Sequence, residues 1–98
     1  MIEGKTKSGF KFSVDERVIK SKQFVLKLAQ MNRVGDNPEA VILEDEIEDL
    51  LLGGEQKAAL SDHLNKKADG YAEVKDFVQE VSEILDFCGE RSAEIKNV

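Results

Sequence analysis

The sequence predicts an α+β fold, mostly helical, in which an N-terminal β-hairpin precedes about four helices packed as a small bundle. Three observations carry this expectation. Between Phe10 and Val14 apolar and polar residues alternate, the period of a half-buried strand. Beyond Asp15 the apolar period lengthens to that of a helix, most regularly in Val74, Phe77, Val78, Val81, Ile84, Leu85 and Cys88. Turn signals at Lys7-Ser8-Gly9, Gly35-Asp36-Asn37-Pro38, Gly53-Gly54 and Asp69-Gly70 divide the chain into pieces of helical length.

Residues 2–14 read as the hairpin. A two-residue loop would pair Lys5 with Phe12 and set charge on the apolar face. A three-residue loop pairs Thr6 with Phe10, Gly4 with Phe12 and Ile2 with Val14, and the faces then agree. Gly9 falls where such a loop needs a left-handed residue. Asp15 is placed as an N-cap, with Glu16 in the first turn of a helix over about 16–32. Val18, Phe24, Val25, Leu28, Ala29 and Met31 share its core face, while Ile19 and Leu26 fall on another.

Residues 35–38 are the clearest break: Asn37 suits a cap and Pro38 a first helical position. The second helix covers about 38–52, with Ala40, Leu43, Ile47, Leu50 and Leu51 facing the core and Val41 and Ile42 pointing elsewhere. Gly53-Gly54 ends it. A third helix over about 55–67 carries Ala59, Leu60 and Leu64. Asp69-Gly70 then turns the chain, and Tyr71 is expected to pack over the junction. The last helix spans about 73–88 with Gly89 as its stop, so that residues 1–89 form one domain. Residues 90–98 are left as a polar tail, frayed or ordered only with a partner.

At 98 residues the chain buries roughly 60–65% of its unfolded surface, enough to fold without a metal or a disulfide. Cys88 is the only cysteine, which excludes an intrachain disulfide and points to a reducing, cytoplasmic setting. No run of about 18 apolar residues and no leader-like start is found, so neither a membrane span nor a signal peptide is expected. Residues 1–33 hold eight Lys/Arg against three Asp/Glu, and residues 34–98 hold six against seventeen. A net charge of −6 disfavours nucleic acid as a partner, since phosphate neutralisation needs clustered cations. The uneven charge suits a solvated surface, self-association or a basic partner.

Little chemistry can be assembled from these residues. Cys88 lies in the apolar stripe of the last helix and reads as a small core residue. His63, the only histidine, lies on a charged helix beside Asp62, and no serine or cysteine falls in a nucleophile motif. The acidic run Glu44-Asp45-Glu46 with Glu48 and Asp49 lacks the loop spacing of a calcium site and reads as a solvated helix face. The expectation is therefore a non-enzymatic protein with no metal and no cofactor.

The opening Ile2-Glu3-Gly4-Lys5-Thr6-Lys7-Ser8-Gly9-Phe10-Lys11-Phe12, the following Val14-Asp15-Glu16, and Leu50-Leu51-Leu52-Gly53-Gly54-Glu55-Gln56 before a short helix carry a resemblance. Over about nine-tenths of its length the chain resembles the small tail assembly chaperones of long-tailed phages and prophages of Gram-positive bacteria. The resemblance implies a viral protein that binds the tape-measure protein and recruits tail-tube subunits in the host cytoplasm. It brings no catalytic residues. Large apolar residues off the core stripes are the candidates for partner binding: Ile19, Leu26, Val41, Ile42 and Phe87. The competing reading is that neighbouring elements bury them. A small acidic regulator that covers a basic partner is the alternative function, and it requires Glu39, Glu44, Asp45, Glu48 and Asp49 on one exposed face.

Overall fold

A computed structural model describes the backbone of residues 1–34 and 37–96 and the side chains of residues 1–34 and 37–89. Two antiparallel strands, β1 (Ile2–Lys5) and β2 (Lys11–Val14), precede α1 (Glu16–Lys20), α2 (Lys22–Val34), α3 (Glu39–Lys67) and α4 (Val74–Lys96). The strand register pairs Ile2 with Val14 and Gly4 with Phe12, and Thr6 N–H donates to Phe10 C=O at 2.9 Å. This is the register of the three-residue loop. Gly9 closes it at φ +98°, a conformation that costs a β-branched residue dearly. Gly9→Val is therefore expected to lower stability by about 1 kcal/mol or more, visible as a drop in melting temperature.

The hairpin lies across the helices, β1 against α4 and β2 against α3. Its inward residues Ile2, Phe10, Phe12 and Val14 join Phe24, Ile47, Leu51, Leu52, Leu60, Leu64, Val81, Ile84 and Cys88 in one buried cluster. Gln56 fastens the open edge of β2. Its Oε1 accepts from Ser13 N–H at 2.7 Å and its Nε2 donates to Ser13 C=O at 2.8 Å, as a third strand would.

The first helix is not continuous as expected but breaks at Ser21. There the backbone turns extended, Ser21 Oγ donates to Val18 C=O at 2.7 Å and accepts from Phe24 N–H at 3.2 Å. One serine thus closes α1 and opens α2, a local bonding choice that competes with the helix ladder. Asp15 caps α1 by accepting from Arg17 N–H at 3.0 Å, and Arg17 holds the Asp15 carboxyl down to about 2. Asn37 accepts from Glu39 N–H at 3.0 Å, and Pro38 already has helical angles. Gly35 and Asp36 of that break lie outside the described residues.

α3 consists of two helical segments that meet at Gly53 (φ +78°, ψ 167°), where the second helix is expected to end and the third to follow. Glycine alone takes that angle without strain, and Gln56 Nε2 caps the freed Leu52 carbonyl at 2.8 Å. Gly89 does not end the last helix. A glycine inside a helix costs only about 1 kcal/mol, and α4 continues over it to Lys96, where a polar tail was expected. Asn97 and Val98 lie outside the described residues. Tyr71 does not cover the junction: it is 83% exposed, and the junction is held instead by Asn65 Oδ1, which accepts from Ala72 N–H at 3.1 Å.

Candidate protein-binding surface

Three of the five off-stripe residues are exposed. Leu26 is 54%, Val41 44% and Ile42 62% exposed. The other two are partly buried. Phe87 packs edge-on against Phe12, ring centres 5.5 Å apart, because the hairpin covers that side of α4. Ile19 packs against the core as well, since the break at Ser21 removes it from the helix that carries Leu26. Val25, Val74 and Val78, expected in the core, are exposed instead.

These side chains are not scattered. An open groove of about 490 Å³ between the N-terminal halves of α3 and α4 is lined by the apolar Met31, Ala40, Val41, Val74 and Val78 and by the polar Asn37, Lys75, Gln79 and Ser82. Sharing Val41 and Val74, it runs on into a smaller hollow of about 230 Å³ that reaches Phe77, Glu44 and Glu48. On the far side of α3, Ile42 and Leu43 face Val34 and Arg33 of α2 across a second cleft of about 400 Å³. Two apolar hollows thus flank one exposed helix edge, a form suited to gripping another helix.

The hollow's floor was not anticipated. Glu44 and Glu48 are only 5% and 3% exposed, where a solvated acidic face was expected. Burial pushes the Glu44 carboxyl up to about 9, assisted by a hydrogen bond to Glu48 and by the charges of Glu48 and Asp45. Glu48 is raised too, again chiefly by burial. The remaining acids are engaged separately: Lys57 Nζ lies 2.8 Å from Asp45 and 3.3 Å from Asp49, and Lys27 pairs with Glu46. A continuous acidic face for a basic partner is therefore missing two of its five members. A signal for this was present, because Glu44 sits four residues after Ala40 and three before Ile47, inside the apolar stripe.

A second polar cluster ties the hairpin turn to the helices. Glu80 Oε1, buried on α4, accepts from Thr6 Oγ1 at 2.8 Å and Ser8 Oγ at 2.6 Å. His63 Nε2 lies 3.1 Å from both the Ser8 hydroxyl and the Ser8 carbonyl. Lys67 Nζ also donates to that carbonyl, and the Ser8 hydroxyl gives its proton to Glu80 rather than to His63. The carboxylate touches the serine rather than the histidine, which is not the order of a nucleophilic triad. The cluster is an anchor. Glu80→Ala, which removes the carboxylate that both hydroxyls donate to, is expected to destabilise the fold by about 1–2 kcal/mol in a denaturant titration.

Cys88 is fully buried and its thiol is pushed up by that burial, away from reactivity. No group of three or more His, Cys, Asp or Glu that could hold a metal ion occurs among the described residues. No helix among the described residues is long and apolar enough to cross a membrane. Comparisons with protein-family models, curated proteins and solved structures give no match to this chain.

Proposed function

We propose that this chain is a non-enzymatic protein-binding module that docks a helical segment of another protein on the exposed edge of α3. The observation that carries it is the groove in which the apolar Val41, Val74 and Val78 stand 38–45% exposed beside the polar Asn37, Lys75, Gln79 and Ser82, with Ile42 at 62% on the opposite side of α3. Grooves of this kind, framed by rigid helices, take the apolar face of an amphipathic helix. The resemblance to tail assembly chaperones supplies the partner class: a long helical tape-measure protein, with tail-tube subunits recruited alongside it in the host cytoplasm.

Co-expression with the tail proteins encoded nearby tests this reading. Ile42→Asp and Val74→Asp place a charge on exposed positions, so far-UV circular dichroism and melting are expected to stay close to the parent. Truncating or charging an anchor of this kind typically costs about 1–2 kcal/mol or more in binding, so co-purification should fall at least about tenfold. Two folded variants that both still co-purify would place the docking surface elsewhere.

A further inference from the structure

We propose that the Glu44–Glu48 pair at the end of the groove is a subsite for a cationic side chain, a lysine or arginine flanked by apolar residues on the partner helix. This rests on the groove reading above and names the chemistry that the partner must bring. Glu44 is more than nine-tenths buried, lines the hollow of about 230 Å³, and its Oε1 accepts no hydrogen bond. Among the described residues lining that hollow, Asp45 and Lys57 are the other charges; α4 contributes Val74 and Phe77. Lys57 ion-pairs with Asp45 and Asp49 and acts on Glu44 and Glu48 only through its charge, so among the described residues no cation forms an ion pair with either member of the pair. Val41, Ala72, Val74 and Phe77 give the hollow an apolar wall beside the carboxyl pair, with Asp45, Lys57 and Ser61 completing the lining, and apolar wall and carboxyls together suit the aliphatic stem and charged tip of a lysine or arginine.

In the free protein burial and the neighbouring carboxylate keep a proton on the pair. An entering ammonium or guanidinium replaces that proton, which leaves to solvent, so binding tightens as pH rises. A buried carboxyl pair that an amide or apolar residue would replace with a gain in stability is the pattern of a site kept for binding.

Side-chain fragments serve as probes: n-butylammonium and n-butylguanidinium, with n-butanol as the neutral control, titrated into isotope-labelled full-length protein. The methyl resonances of Val41 and Val74 are expected to shift saturably with the two cations at pH 8. Affinity should fall at least tenfold at pH 5 and be lost in Glu44→Gln/Glu48→Gln, a variant expected to fold at least as well as the parent. Equal shifts with n-butanol, retained affinity in the double variant, or no saturable shift would overturn the proposal. So would saturation by calcium or magnesium with no response to the organic cations. Loss of co-purification in Val74→Asp alongside silent cation titrations would leave the groove standing and remove only its cationic subsite.

Discussion

Glu44→Gln is expected to make this protein markedly more stable at pH 8 and to flatten its dependence on pH. The Glu44 carboxyl is held at about 9 in the fold against an ordinary value of 4.5. The folded state therefore holds this proton more tightly than the unfolded chain does. Its contribution is fully present below about 4.5 and is lost as pH rises towards about 9. Each pH unit inside that window is worth at most about 1.4 kcal/mol. Water entering the open hollow and coupling to Glu48 trim the sum, leaving a gain on the order of 3 kcal/mol at pH 8. For a domain of this size that is a rise in melting temperature of at least about 10 °C. A glutamine amide keeps the neutral form at every pH and still donates to Glu48. Parent and variant should converge near pH 4 in thermal melts. A parent whose stability holds level or rises between pH 5 and pH 9 would show that the pair is not held protonated.

The second large effect is expected at Gly4. A Cβ built there would lie 2.8 Å from the Phe12 ring and 2.8 Å from the Phe87 ring. Those two rings meet edge to face at 88°, and the missing side chain is what lets them close over β1. Gly4→Val must displace both, and the branched methyls reach further than the Cβ itself. Overpacking of this kind commonly costs 1–3 kcal/mol, and about 3 kcal/mol is expected here. Chemical denaturation measures it directly. Gly54→Ala is the matched control, because nothing lies within 4 Å of a Cβ built at Gly54. If Gly4→Val melts like the parent, the hairpin does not dock on α4 as described.

Local patterns settled what depends on neighbouring residues alone. The alternation from Phe10 to Val14, with Gly9 in the turn, admits one register that keeps charge off the apolar face, and that register is found. Asp15, Asn37 and Gly53 mark helix boundaries through bonds and angles that lie within a few residues of themselves. The break at Ser21 is not legible in the apolar pattern, because its hydroxyl competes with an otherwise good helical stripe, a contest decided by small energies. Gly89 misled for the converse reason, since a single glycine is a weak helix breaker.

Which faces are covered was decided by tertiary packing. Periodicity shows that Val41 and Ile42 leave the main stripe of α3, and both are exposed. It also put Phe87 off the stripe of α4, yet the hairpin folds back over that side and partly covers it, with Phe12 and Gly4 packed against it. Val74 and Val78 follow the helical rule and are still exposed, because α3 and α4 leave a groove between their N-terminal halves. Glu44 and Glu48 look solvated by residue type but lie under that groove. A helix stripe records only which residues share a side. Whether a neighbour closes over that side is set by the angle and reach of segments distant in sequence, here a hairpin that begins at Ile2 and a helix that begins at Val74.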